Sequence, residues 1–339
     1  MNTIEMCAGA GGQALGLHNA GFEHLALIEI DAHACATLRH NNQHLKLGWG
    51  EIIEGDLHEF AHIRAHDFHK QVDLLAGGVP CPPFSKAGKK LGPDDERDLF
   101  PAALKIVQAI QPRAVLLENV AGLMEEKFAS YRQSIRDTLH SMGYCTDWKL
   151  LNASDFGVPQ LRPRFILVAM QENIWPHFSW PKALQENPKS VGDVLFDLIS
   201  ANGWEGAEAW KAQANDIAPT LVGGSKKHGG PDLGPARAKA AWQKLGINGH
   251  RVADENEIPQ RNFRGVVMRD GKIKDGFANM PLLSVRMAAR IQGFPDCWHF
   301  IGTKTHAYRQ VGNAFPPPVA QAVGLQIMAA LQAFDRQYR

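Results

Sequence analysis

The stretch from Thr3 to Asp31 does most to narrow what this chain can fold into. A short apolar run, Thr3 to Cys7, passes straight into Ala8-Gly9-Ala10-Gly11-Gly12. Behind it Ala14, Leu15, Leu17 and Ala20 recur at helical spacing until Gly21. A second apolar run, His24 to Ile28, ends in Glu29-Ile30-Asp31. Strand, glycine turn, helix and a strand with an acidic tip open a nucleotide-binding βαβ unit. The glycines allow a tight turn and close approach of a ligand to backbone N–H groups. Glu29, at the tip of the second strand, is placed to accept hydrogen bonds from ribose hydroxyls. Taken alone, the turn has a plainer reading, helix–strand packing. No phosphate-binding lysine follows it, so a P-loop is excluded. A nicotinamide dinucleotide and a nucleoside carrying an amino acid both fit this pattern.

The same alternation continues. Glu51 to Ile53 reads as a third strand, followed by Gly55-Asp56-Leu57. Asp56 either accepts from an adenine amino group or holds a turn. Val72 to Ala76 is a further short strand that stops at Gly77-Gly78 and runs into Val79-Pro80-Cys81-Pro82-Pro83. That loop is too rich in proline for helix or strand interior. It sets a thiol at the carboxyl end of a buried strand, where open α/β sheets handle ligands. The plainer fate of a free cysteine is burial as a small hydrophobe, but a core cysteine does not need three prolines and two glycines around it. Lys86, Lys89, Lys90 and Arg97 follow in a glycine-containing loop, which reads as a basic lid over a phosphate-bearing polymer or as a solvated loop. Arg113 to Leu117 is a strand ending in Glu118-Asn119-Val120, and a carboxylate there is costly unless used or paired. In Gln160-Leu161-Arg162-Pro163-Arg164 the two arginines alternate, so extended chain turns both one way. Two planar cations on one face suit a phosphate or a base carbonyl, with a structural ion pair as the competing reading.

Beyond Gln171 the alternation fades. Trp175, Trp180, Trp204, Trp210 and Trp242 appear among Gly, Pro and Asn, and only Ala236 to Leu245 looks clearly helical. A polar glycine loop carries Lys226, Lys227 and His228. This is a second, loop-rich domain. Order returns with a short helix, Ser284 to Gln292, and a final apolar helix, Val319 to Phe334. The second domain is therefore expected as an insertion, with 1–170 and 305–339 forming one domain and 171–304 the other.

Composition bounds the reading without deciding it. Formal net charge is +1 across 339 residues, so a nucleic-acid partner would need a local basic surface. The five cysteines are scattered, with no CxxC pair, so neither a metal site nor a disulfide framework is expected, and a reducing cytoplasm fits. No apolar run looks long enough for a membrane span and Met1 opens no signal-peptide pattern.

The order of these elements resembles the DNA (cytosine-5) methyltransferase family, in its bacterial restriction-modification form. The resemblance rests on AGAGG (Ala8 to Gly12), EID (Glu29 to Asp31), GDL (Gly55 to Leu57), GVPCPPFSKAG (Gly78 to Gly88), ENV (Glu118 to Val120), QLRPR (Gln160 to Arg164), RMAARIQGFP (Arg286 to Pro295) and YRQVGNAFPPPVA (Tyr308 to Ala320). It implies a Rossmann-like α/β sheet that uses S-adenosyl-L-methionine, with an inserted smaller target-recognition domain. By resemblance, Cys81 adds to carbon-6 of a flipped cytosine, Glu118 handles the proton at ring nitrogen-3, Arg164 holds the base carbonyl, and Arg162 supports the loop. Cys7, Ala8, Gly9, Gly11, Gly12, Glu29, Ile30, Asp56, Leu57, Pro80, Leu99 and Asn313 are the implied cofactor contacts. Cys7 stands where the family often has Phe, and Pro82 where many members have Gln. Implied DNA contacts are Ser85, Lys89, Lys226, Lys227, His228, Arg251, Arg261 and Arg264. The implied partners are double-stranded DNA and a cognate restriction endonuclease, for a monomer in the cytoplasm that associates with the nucleoid when acting on DNA. An RNA cytosine methyltransferase is the nearest rival, weakened because no Cys-Phe-Thr tripeptide occurs between Gln171 and Met280. A non-catalytic relative would have lost Cys81 or Glu118, and a nicotinamide dehydrogenase leaves both without a role.

Overall fold

In the computed structural model, residues 1–80, 98–223, 231–268 and 270–338 are described. Cys81, Ser85, Lys89, Lys226, Lys227 and His228 lie outside them. Two units emerge: Met1–Leu151 with Pro163–Lys182 and Val319–Arg339, and Asn152–Arg162 with Ala183–Pro318. Residues 305–318, grouped with the first domain on sequence grounds, fall in the second unit.

The aliphatic runs of the first unit pair into one seven-stranded sheet in the order β3-β2-β1-β4-β5-β7-β6. The strands are β1 (Asn2–Met6), β2 (Glu23–Glu29), β3 (Glu51–Glu54), β4 (Leu74–Gly77), β5 (Ala114–Val120), β6 (Tyr144–Asn152) and β7 (Pro163–Gln171). Strands β1 to β5 pair in parallel, while β7 runs antiparallel to β5. Parallel strands need crossover segments, and α1 (Gly12–Asn19), α2 (Ala32–His44), α3 (Leu57–Ile63) and α4 (Phe100–Ile110) lie in those crossovers; α5 (Ala129–Ser141) follows β5. Asp31 caps α2 by accepting from the His33 and Ala34 N–H groups, and Asp56 caps α3 through the His58 N–H. Ile4, Met6, Ile28, Leu75, Ile106, Val107, Leu117 and Leu167 are buried in one core.

From β1 the chain winds outward through β2 to β3, then returns to β4 on the other side of β1. That reversal is the topological switch point, where doubly wound sheets open a crevice at the carboxyl ends of the strands. Met6 pairs with Gly77 across it. A Cβ at Gly77 would sit 2.7 Å from the Met6 carbonyl oxygen, so only glycine lets the two strands close here. Gly77→Ala is expected to destabilise the protein by about 1–3 kcal/mol, seen as a lower denaturation midpoint.

The second unit holds α6 (Val191–Ile199), α7 (Ala207–Gln213), α8 (Ala236–Lys244), α9 (Val285–Ile291) and α10 (Lys304–Asn313). It is more helical than the sequence texture suggested. Helix α6 begins with a capping box in which Ser190 and Asp193 satisfy each other's backbone. The last helix, α11 (Pro317–Gln337), carries Val319, Ala320, Val323, Ile327 and Leu331 fully or almost fully buried. Contrary to expectation, the helical stretch Lys304–Gln337 is long and apolar enough to cross a membrane by length and composition. Its most apolar window is 67% buried, as suits a core helix.

Candidate active site

Two loops leave adjacent strands at the switch point. The first follows β1. Cys7 takes a left-handed backbone (φ 50°), which is unusual for a residue with a side chain, and Gly9 and Gly11 follow at φ 53° and 85°. The Ala8 N–H donates to the Ile28 carbonyl at 3.0 Å, tying the turn to β2. Glu29 tightens this further. Its Oε2 accepts from the Gly9 N–H at 2.7 Å, and its Oε1 from the Ile30 and Asp31 N–H groups at 2.9 and 2.8 Å. Carboxylate oxygens retain further lone pairs, so Glu29 can still accept from a ligand hydroxyl.

On its other side Gly9 faces open space, with nothing within 4 Å of where a Cβ would stand. Ile30, 68% exposed beside the buried Glu29, offers bare apolar surface at the strand tip. Asp56 is also exposed there, at the tip of β3. Burial pushes the Cys7 thiol well up, and the Glu29, Asp56 and Glu5 carboxylates push it further, which places these groups near one another. Ala8, Gly11, Gly12 and Leu57 are buried under the turn and pack rather than present surface.

The second loop follows β4. The Asn119 amide donates to the Val79 carbonyl at 2.7 Å and its own oxygen accepts from the Val120 N–H at 2.8 Å. The Leu99 N–H donates to the Pro80 carbonyl at 3.2 Å. This bond holds the start of α4 beside the end of the loop that follows β4. Asp98 is buried, accepts from the Phe100 N–H just before α4, and accepts from the Tyr131 hydroxyl at 2.6 Å. Cys81 is the first residue past Pro80.

Glu118 and Arg164 meet beside this exit. In the antiparallel register Glu118 pairs with Ile166 and Val120 with Arg164, so Glu118 and Arg164 are diagonal neighbours on one face. Arg164 Nε lies 2.6 Å from Glu118 Oε1, with both side chains about nine-tenths buried. Burial draws the guanidinium down from its usual range while Glu118 opposes that shift. A Cβ at Gly78 would lie 3.3 Å from Glu118 Oε2, so the start of the cysteine loop passes directly over the carboxylate.

Arg162 does not join this pair. It is 1% exposed in the second unit, and its terminal nitrogens donate to the carbonyls of Leu221 (2.7 Å), Gly312 (2.7 Å) and Ala314 (2.9 Å). Arg162 is thus spent on backbone carbonyls of the second unit, the supporting role implied for it, while Arg164 lies against Glu118 in the first. Gln160 works with Arg162: it accepts from the Leu221 N–H and donates to Gln292 at 2.7 Å, and Gln292 donates to the Ala314 carbonyl. Three of the sequence motifs are thus bolted together by buried polar side chains. Arg162→Ala is expected to cost about 3–5 kcal/mol, because three buried carbonyls lose a charged donor, and thermal unfolding would register it.

Asn313 ends α10, exposed, with Gly223 so close that a Cβ there would clash with its side-chain oxygen. Among the implied DNA contacts, Arg251 is held on both oxygens of Glu257 at 2.6 and 2.5 Å, and Arg261 pairs with Glu205 at 3.0 Å. Arg264 is exposed, with no such side-chain partner among the described residues. Asn119, Asp98 and Tyr131 were missed as positioning residues; the Asn of Glu-Asn-Val was the available signal.

A doubly wound sheet with an open glycine turn at its switch point and a carboxylate–guanidinium pair at neighbouring strand tips is an α/β architecture suited to an enzyme. Comparison with known proteins narrows this. The family model for C-5 cytosine-specific DNA methylases matches residues 1–329. The chain is 54% identical over 332 residues to the Type II methyltransferase M.NaeI of Lentzea aerocolonigenes, covering 98% of this chain and 75% of that protein. It is 50% identical to the Type II methyltransferase M.NgoMIV of Neisseria gonorrhoeae, covering 97% and 98%. Among solved structures, the Schizosaccharomyces pombe Dnmt2 methyltransferase shares the fold with a TM-score of 0.61 at 17% identity, covering 98% of this chain and 99% of that one. The chain belongs to the C-5 cytosine-specific DNA methylase family, and DNA cytosine-5 methylation is its activity.

Proposed function

We propose that this enzyme methylates one cytosine within a specific double-stranded sequence, with S-adenosyl-L-methionine as donor and Cys81 as a transient covalent nucleophile. The observation that carries this reading is the position of Glu118 and Arg164 directly beside the exit of β4, one short loop before Cys81.

The donor fits the residues present. The open side of Gly9 accepts the close approach of a ligand, Glu29 keeps lone pairs for ribose hydroxyls, Ile30 offers a flat apolar face to adenine, and Asp56 has a carboxylate for its amino group. Small Cys7 leaves more room than the family's usual phenylalanine. When bound, the donor supplies an electrophilic methyl group on a sulfonium.

Carbon-5 of cytosine is a weak nucleophile, and the chain's own residues must change that. The Cys81 thiolate adds to carbon-6, and the electrons displaced from the ring double bond make carbon-5 nucleophilic. Glu118 offsets the charge by managing a proton at nitrogen-3, and Arg164 holds the base carbonyl and the carboxylate together. After methyl transfer the carbon-5 proton leaves to water and Cys81 is expelled as thiolate, restoring the ring. A free thiol ionises near 8.5, so this step needs a cysteine that burial has not pushed up. Burial raises Cys7, Cys35 and Cys145, with Cys35 pushed up to about 12, which argues against those three as the nucleophile.

The target atoms are out of reach in a stacked duplex, so the cytosine is flipped out at a few kcal/mol, offset by phosphate and base contacts. The first unit would carry cofactor and chemistry and the second would read the target. The likeness to Type II methyltransferases supports a role in a restriction-modification system; a cognate endonuclease as functional partner, a monomeric state and a cytoplasmic location belong to the same proposal. Donor carrying a labelled methyl group, offered with plasmid DNA or with total RNA, tests the substrate class. Label should enter DNA, and bisulfite sequencing should place it at one cytosine of a recurring sequence; label entering RNA alone would overturn the reading.

A further inference from the structure

A buried acid and a buried imidazole lie beneath the glycine turn, and the chemistry above uses neither. Glu5 stands on β1, two residues before Cys7, and His24 stands near the start of β2. Their side chains are 1% and 0% exposed, with Glu5 Oε2 and His24 Nε2 3.7 Å apart. The strand register brings them together. Thr3 pairs with His24 and Glu5 with Leu27, but Ile4 pairs with Ala26, so Leu25 is an extra residue on β2. Thr3 and Glu5 share one face of β1, and the slip sets His24 on that face as well. Without it His24 and Leu27 would face opposite sides. The Trp49 ring packs on His24 with centroids 5.0 Å apart, and the Gly50 N–H donates to the His24 carbonyl at 2.8 Å.

The pair is tied to the turn. The Ala14 N–H, in the first turn of α1, hydrogen-bonds the Glu5 carboxyl, and Glu29 accepts from the Gly9 N–H. The backbone from Gly9 to Ala14 is therefore held at both ends by a carboxyl group. Among the described residues, Glu5 Oε2 and both ring nitrogens of His24 have no hydrogen-bond partner. Charge in so buried a place is costly without partners. Burial pushes the Glu5 acid well up, against the pull of the Ala14 N–H, and Glu29 adds to the rise. Burial draws the His24 imidazole down to about 3, and His18 on α1 adds to the fall. Glu29 and His18 are the titratable groups facing the pair; β4 sets Ala76 opposite Glu5, and α11 meets α1 at Gly324, beside Leu17. Well-packed apolar residues are often as stable as a buried polar pair, so stability alone does not account for this one.

We infer that Glu5 and His24 are positioning residues for the donor site, an uncharged buried pair that seats the glycine turn through the Ala14 N–H. The inference rests on the turn being where the donor binds. Glu5 acts through the turn, with the carbonyl oxygen of its acid form as the acceptor.

The test uses the full-length enzyme as wild type, Glu5→Gln, Glu5→Ala and His24→Phe. Infrared difference spectra of wild type against Glu5→Gln, without donor and at neutral pH, should show the carbonyl band of a protonated carboxyl. His24→Phe should shift that band. Calorimetric titration with S-adenosyl-L-methionine should find Glu5→Gln within about three-fold of wild type, since the amide keeps the acceptor and the missing charge. Glu5→Ala should bind about ten-fold more weakly, with kcat at saturating donor little changed. The seat favours the acid form of Glu5, so raising the pH should weaken wild-type binding relative to Glu5→Gln, never the reverse. The donor's own amino group titrates equally in both. No protonated-carboxyl band, a Glu5→Gln variant that fails to fold, or one as weak as Glu5→Ala overturns the inference. An unshifted band in His24→Phe removes His24 from it. A wild type that binds no donor sinks the donor reading instead, and the infrared result still judges whether the pair is uncharged.

Discussion

Cys81→Ala should bring methyl transfer down by about 10⁴-fold or more while leaving duplex DNA binding in place. The size follows from the chemistry: without addition at carbon-6 there is no route to a nucleophilic carbon-5, and no neighbouring group substitutes for the lost bond. Burial pushes the Cys7 and Cys35 thiols well up and raises that of Cys145, so none of them is expected to replace it. Cys297 is exposed and needs a separate control. DNA carrying 5-fluorocytosine has no removable carbon-5 proton and should trap the wild-type enzyme in the presence of donor. Peptide mapping should find the adduct on Cys81. Turnover by the alanine variant, or an adduct mapped to Cys297, would remove Cys81 from the mechanism.

Glu118→Gln should lower kcat by about 10²–10⁴-fold with donor affinity nearly unchanged. The substitution keeps the side chain's length and one acceptor oxygen, but glutamine neither takes nor returns a proton. It also leaves Arg164, nine-tenths buried, beside a neutral amide, so a loss of about 1–3 kcal/mol in stability should accompany it. Single-turnover kinetics separates the two effects, because the instability shows in the denaturation midpoint and the chemical loss does not. A variant turning over at the wild-type rate would show that the proton is handled elsewhere.

Much of the catalytic half could be read in advance because its signals are local. The glycine turn, the acidic tip of β2, the stop at Gly77-Gly78 and the Glu-Asn-Val strand end each span a few residues and sit at predictable ends of apolar strands. Less was legible in the second unit. Helix α6 announces itself by Ser190-x-x-Asp193 ahead of an apolar run, a signal that the tryptophans and glycines around it obscured. Helix α7 is only seven residues long and its Trp210 is anchored to the distant Gly246 carbonyl, a contact with no trace in local sequence.

The arginine pair marks the boundary between the two kinds of information. By itself the sequence determined that a largely parallel α/β sheet would present a glycine turn and a carboxylate at strand tips, since short-range pattern and backbone sterics fix those. It also placed Arg162 and Arg164 two residues apart. Only the tertiary structure decided that one would lie against Glu118 and the other against three backbone carbonyls from residues 221 to 314. The partner of a buried guanidinium is set by which acceptors the rest of the fold leaves unsatisfied nearby, and those acceptors are far away in sequence.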